Sequence, residues 1–158
     1  MDIEIQHNSG QIAEAFNQLL QQTQNLEPAM RQIAGVLADA SEESFEQQRT
    51  PDGTPWAGLS EETTIPAREA QGYWPGQILQ VTGDLAASIT TDYGDDYASI
   101  GTNKIYAPMM HFGGTTSPDS MIPNKEIPGR EFLGLGPQDE DEVLDILGDF
   151  LMQFDEAL

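Results

Sequence analysis

Residues 50–56, Thr50-Pro51-Asp52-Gly53-Thr54-Pro55-Trp56, most constrain how this chain can fold. A proline disfavours helical geometry in the residue before it, so a helix arriving from the N-terminal side must stop at Thr50. Asp52-Gly53 marks a tight turn, because glycine reaches positive φ without a steric cost and aspartate hydrogen-bonds its own backbone. Pro55 stiffens the exit and fixes the approach to Trp56. The segment therefore has to join a helical part of the chain to a part built differently.

The helical part is residues 1–49. Ile12, Phe16, Leu19 and Leu20 recur at helical spacing, with Asn8 and Ser9 as candidate caps. Pro28 interrupts that pattern but suits the first turn of a second helix, where its missing amide would have no partner anyway. Met30, Ile33, Ala34, Leu37, Ala40, Ser41, Ser44 and Phe45 mark the inward face of this helix, which is predicted to run to about Gln48. Glu42, Glu43 and Glu46 mark its wet face. Small residues at Ala34, Gly35, Ala38 and Ala40 allow another element to approach closely.

Residues 50–76 read as loop, with a short helix capped by Ser60 and the tip Tyr73-Trp74-Pro75-Gly76. Residues 77–135 read as hairpin and strands. Thr82 is a candidate cap for a short helix through Leu85, Ala86 and Ile89. Residues 90–93 and 97–101 flank Gly94-Asp95-Asp96 as a β-hairpin. A brief helix or turn is predicted over 105–112, a turn-rich loop over 113–124 and a returning strand over 127–134. Residues 138–158 form the strongest helical pattern. Its stripe is Val143, Leu147, Phe150, Phe154 and Leu158, widened by Leu144, Ile146 and Leu151. The predicted fold is a single α+β domain over 1–158, with N-terminal helices, a small antiparallel sheet with a hairpin, and a C-terminal amphipathic helix.

Charge narrows the function. The 158 residues carry 27 acidic and six basic side chains, a formal net charge of −21. Nucleic-acid binding needs cations to displace phosphate counterions, so direct sequence-specific binding is not expected. Anionic membrane surfaces are disfavoured for the same reason, and no apolar run reaches the roughly 18 residues of a spanning helix. The acidity has two readings: simple solubility, or a surface that DNA slides past without sticking. The acidic start of the chain lacks the basic-then-apolar order of a signal peptide, so a cytoplasmic protein is expected. Without cysteine there is no thiolate catalysis, disulfide or cysteine-bound zinc.

No catalytic motif emerges. His7 and His111 are the only histidines, and neither lies near a Gly-flanked serine. His111, between Met110 and Phe112, reads as a half-buried packing residue. Asp92, Asp95 and Asp96 resemble an oxygen-rich cation site but lack the spaced ligands of a calcium loop, so a solvated turn explains them better. An acidic metal-dependent hydrolase using these three is the minor alternative. No catalytic residue, cofactor or metal is therefore assigned. The structural or interface candidates are Trp56, Tyr73, Trp74, Arg130, Phe132, His111, Asp52 and Gly53. Trp56 has a core reading and an interface reading, since Trp anchors both. With so few cations, Arg130, inside a predicted strand, is expected to form a structural or inter-subunit ion pair.

Five blocks, in order, resemble the virion morphogenesis (tail completion) proteins of Mu-like tailed bacteriophages. They are Phe45-Glu46-Gln47-Gln48 leading into residues 50–60; Ile78-Leu79-Gln80-Val81-Thr82-Gly83-Asp84-Leu85; Ile100-Gly101-Thr102 with Tyr106-Ala107; His111-Phe112-Gly113-Gly114; and residues 127–135 before the last helix. The resemblance implies a structural protein at the tail end or head–tail joint, assembled as an oligomeric ring, with no catalytic residues. Its partners would be other tail or neck proteins and copies of itself, in the virion and, during assembly, in the host cytoplasm. An assembly scaffold or chaperone absent from the mature virion is the alternative. The helices before residue 45 and the insertion around Tyr73-Trp74 match this pattern poorly.

Overall fold

The computed structural model describes residues 10–22 and 25–156. The expected caps Asn8 and Ser9, as well as His7 and Leu158, lie outside the described residues, as do the side chains of Phe16, Leu19, Leu20 and Phe154.

The helix α2 (Glu27–Gln47) is the spine. The Leu26 amide donates to the Asp95 carbonyl at 2.9 Å, which ties the start of α2 to a distant turn. Pro28 occupies its first turn, as its missing amide allows. The two halves of α2 serve two different cores. Towards its start, Ala29, Met30, Ile33 and Val36 pack with Leu26 and with Val143 and Leu147 of α6 (Pro137–Glu156). Ile12 of α1 (Gly10–Gln22) joins this cluster. Towards its end, Phe45 packs with Trp56, Leu85, Ile100, Ala107, Phe132 and Leu133. Each large apolar side chain fully buried in this way contributes about 1.5–3 kcal/mol.

Small residues explain how a sheet reaches the spine. The strands β1 (Thr90–Tyr93) and β2 (Ala98–Gly101) pair antiparallel, with Thr91 opposite Ile100 and Asp92 opposite Ser99, and both pack on α2. Ala34, Ala40 and Ser41 are buried, whereas Gly35 is exposed and serves no close approach.

Two short helices start later than their apparent caps predict. Ser60 sits at a turn, its hydroxyl accepting from the Thr63 amide, and α3 (Thr64–Ala70) begins four residues on. The next, α4 (Asp84–Ala87), is a single turn entered through Gly83 at positive φ. The brief helix predicted over 105–112 is α5 (Ala107–Phe112).

The segment after α5 departs most from the sequence expectation. Gly113–Thr115 is a strand, β3, rather than loop, and pairs antiparallel with β4 (Glu126–Pro128). The strand predicted over 127–134 ends at Pro128. Proline removes a ladder donor, and the next amide but one, that of Arg130, turns away to the Met110 carbonyl at 2.9 Å. A β-carbon on Gly113 would lie 2.5 Å from the Gly129 nitrogen, so this crossing requires glycine. The two small antiparallel sheets and the helices make an α+β fold, as predicted. No helix among the described residues is long and apolar enough to cross a membrane.

Candidate functional site

Residues 48–56 build a joint from local rules. Gln48 ends α2 in the left-handed conformation, its amide bonded back to the Ser44 carbonyl. The chain then folds on itself: the Thr50 amide donates to the Thr54 carbonyl at 2.8 Å and the Trp56 amide to the Gln48 carbonyl at 2.9 Å. At the tip, Gly53 has φ +96°. The Asp52 carboxylate accepts from the Thr50 hydroxyl and from the Thr54 amide, which holds its pKa below the usual value. Asp52 and Gly53 are exposed and act in the turn itself.

The joint clamps three distant parts of the chain. Trp56 is buried, and its indole Nε1 donates to the Glu131 carbonyl at 2.8 Å. Its ring lies edge-on to Phe45, with centroids 5.8 Å apart, and Phe45 also contacts Phe132 at 5.2 Å. On the other side, Gly136 accepts Pro51 so closely that a β-carbon there would lie 2.1 Å from the Pro51 oxygen. The start of α6 is thereby set against the joint, with Asp139 accepting from the Gly136 amide at 2.8 Å.

Arg130 departs from its expectation in place: it lies beyond the strand. Within the chain it forms no ion pair among the described residues. The guanidinium is buried and donates through Nε to the Ala57 carbonyl and through Nη2 to the Gly58 carbonyl, both at 2.8 Å. Burial, with the nearby Arg68 charge, lowers its pKa. An acidic protein places this cation against backbone dipoles because the carbonyls after Trp56 converge there, and the planar fork suits two acceptors. Among the described residues, the ion pair that does form is Arg49 with Glu43, on the surface.

His111 is fully buried rather than half-buried. Its Nδ1 accepts from the Phe132 amide at 3.3 Å, and its ring stacks edge-on to Phe112 and Phe132. Burial lowers its pKa to about 4, so the ring stays neutral and acts as a packing acceptor. Phe132 is wholly inside the core. Tyr73 is exposed and Trp74 half-buried, joined to Pro75 by a cis peptide bond. The joint thus brings together Trp56, Phe132, His111 and Arg130, and leaves Tyr73 and Trp74 outside it.

Asp92 accepts from the Tyr97 hydroxyl and from the Tyr93 amide, both at 2.9 Å, so it closes its own turn. Among the described residues no group of three or more His, Asp or Glu is placed to hold a metal ion.

Two surface features escaped the sequence reading. One is the arm formed by β3, β4 and the loop between them. The Thr116 amide donates to the Lys125 carbonyl and the Lys125 amide to the Thr116 hydroxyl, so the loop is closed at its base. Met121 at its tip is fully exposed and Ile122 is 54% exposed. Both are apolar residues in a stretch read as turn, which was the available signal. The other is a groove of about 530 Å³ beside α2. Ala38, Phe45, Ala86 and Ile89 line it, with Glu42 and Glu46. Its far wall is held by the Gln80 side chain donating to the Phe45 carbonyl and the Ile78 amide donating to the Gln48 side chain. Ser41, also lining the groove, has a buried hydroxyl with no hydrogen-bond partner.

Residues 7–152 match the model of the phage virion morphogenesis family. The chain is 42% identical over 118 residues to the putative capsid assembly protein G of Escherichia phage Mu, covering 74% of each chain. It is 35% identical over 150 residues, 95% of each chain, to the Mu-like prophage FluMu G protein 2 of Haemophilus influenzae. The G protein 1 from the same source is 34% identical over 93% of each chain. The matched range begins at residue 7 and so includes the N-terminal helices, which the sequence blocks left out. No solved structure matches the chain.

Proposed function

The chain belongs to the phage virion morphogenesis family, and on that premise we propose that it is a structural subunit acting at tail completion or the head–tail joint, as an oligomeric ring. The observation that carries this reading is the family match over 146 of 158 residues, from 7 to 152. The site chemistry is compatible with it. The titratable and aromatic groups at the joint are used for packing and backbone bonding, and exposed apolar side chains remain on the surface, among them Ile105, Phe112, Met121 and Ile122. The protein acts without a catalytic step. It works in the host cytoplasm during assembly and then in the virion, among tail or neck proteins. The acidic surface repels DNA phosphates, which suits a passage that DNA must cross freely.

The test is a phage lacking the gene. Electron microscopy of its lysate is expected to show heads and tails that fail to join, or tails with abnormal ends, restored by supplying the protein. Normal infectious particles without it would overturn the role. Microscopy of the purified protein, at high concentration and with tail extract, tests the ring.

One observation favours a second reading. The phage Mu relative is named for capsid assembly, which describes a process rather than a component. On that reading this chain would be a scaffold or chaperone, absent from the finished particle. Mass spectrometry of purified virions distinguishes the two.

A further inference from the structure

The helix α5 has two apolar faces, and the body covers one of them. Ala107 and His111 are buried in the core side. On the opposite side Ile105, in the turn that leads into the helix, is 81% exposed, and Phe112, at its end, is 63% exposed. They stand seven residues apart, about two helical turns, with half-buried Met109 between them at helical spacing. Exposed apolar residues scattered singly are ordinary, whereas an aligned set forms a patch.

The two ends of this stripe carry opposite charge. Residues 97–118 contain one charged side chain, Lys104, and no acid. Lys104 adjoins Ile105 and forms no ion pair among the described residues. At the other end, Phe112 borders a cleft of about 280 Å³ whose accessible walls are Pro51, Asp52, Glu131 and Leu135. Both carboxylates are exposed, and no Lys or Arg lines the cleft. The arm that follows Phe112 carries Lys125 against Asp119 and Glu126, a net charge of −1, so it leaves this end acidic. The stripe therefore runs from a cationic end to an anionic one through apolar side chains that solvent reaches.

We propose that two copies of the chain pair through α5, antiparallel about a two-fold axis, with Ile105 of each on Phe112 of the other and Lys104 of each facing Asp52 and Glu131 of the other. A second copy is the occupant because the stripe complements itself when reversed, and each pairing then occurs twice. A parallel pairing would set like charges together. In a molecule of net charge −21, copies repel at long range. At about 0.15 M salt that repulsion is screened beyond about 8 Å, whereas charges in contact still attract. One short helix from each copy makes a small contact, which is that of a weak, exchanging pair. A two-fold contact closes on itself and does not extend into a ring, so it is independent of the ring reading above.

Sedimentation velocity of the full chain at about 0.15 M salt is expected to show a monomer–dimer equilibrium. The chain has no cysteine, so introduced ones report the contact directly. Full-length Ile105→Cys mixed with full-length Phe112→Cys and oxidised should give a disulfide-linked dimer. Neither variant alone should, because across the two-fold axis each residue lies about 10 Å or more from its own counterpart, further than a disulfide spans. Lys104→Glu should weaken the dimer at least about tenfold, and Lys104→Glu/Glu131→Lys in one chain should recover part of the loss by restoring opposite charges. That recovery also excludes misfolding as the cause of the loss. A monomer at every concentration overturns the contact, whatever microscopy shows of rings. A dimer that crosslinks as readily through Ile105→Cys alone, or that Lys104→Glu leaves unchanged, overturns it as well. The mixed crosslink without any ring upholds the contact and counts against the ring reading alone.

Discussion

Replacing Trp56 tests whether the joint is a core element or a contact surface. The side chain is 7% exposed, touches Phe45 edge-on, and bonds the Glu131 carbonyl 75 residues away. Burying an aromatic of this size removes about 150–250 Å² from water, which at about 25 cal/mol per Å² is an upper bound of about 4–6 kcal/mol. Trp→Ala in a core costs about 3–5 kcal/mol once the cavity is included. The indole hydrogen bond to the Glu131 carbonyl is lost in the same change and is counted within that range. Trp56→Ala should therefore lower the unfolding midpoint by about 6–20 °C. Trp56→Phe keeps most of the ring and should cost about 1–2 kcal/mol. The assay is thermal and urea unfolding followed by far-ultraviolet circular dichroism, at protein concentrations low enough that association does not contribute. Trp74→Ala is the comparison: Trp74 is only partly buried and has no hydrogen bond across the core, so it should cost less than Trp56→Ala, about 1–3 kcal/mol. If Trp56→Ala cost no more than Trp74→Ala yet abolished assembly, the core reading would be refuted and Trp56 would be an interface residue.

Three further outcomes are expected. His111 is held neutral with a pKa of about 4 in the folded state, against about 6.5 unfolded, so the unfolded chain binds the extra proton first. Its contribution is complete above about pH 6.5 and is lost as pH falls towards 4, by at most about 3 kcal/mol; His111→Gln should flatten the stability slope across that window in urea titrations, and an unchanged slope would contradict the assignment. Gly136→Ala would force a β-carbon to within 2.1 Å of the Pro51 oxygen; it should destabilise by about 1–3 kcal/mol or more, measured by urea midpoint, whereas Gly35→Ala, in open space on α2, should be neutral or slightly stabilising. Arg130→Ala releases the Ala57 and Gly58 carbonyls; amide exchange around residues 57–60 should accelerate about tenfold or more, with Arg130→Lys intermediate because ammonium cannot span both acceptors with a planar fork.

Membership of the family was legible in ordered blocks of residues, and so were the elements whose cause is local. Helix α2 follows from apolar spacing, Pro28 and the stop at Thr50-Pro51. The joint follows from Asp52-Gly53 between two prolines, and the β1–β2 hairpin from its turn residues. These depend on neighbours a few positions away, and the sequence states them directly. Which partner each long-range group finds is a different matter. Arg130 had carboxylates in plenty to choose from, yet the fold brings it to two backbone carbonyls 73 and 72 residues away. His111 found the Phe132 amide, and Gly113 became a strand because β4 returns past it. Ser60 and Thr82 resembled caps, but their helices begin later, because a cap residue alone does not fix where a helix finds its packing. The arm and the groove are of this second kind. Their residues are all visible in the sequence, but only packing decides that Met121 and Ile122 stay outside while Phe45 and Ser41 line a groove, because burial depends on the whole chain surrounding each side chain.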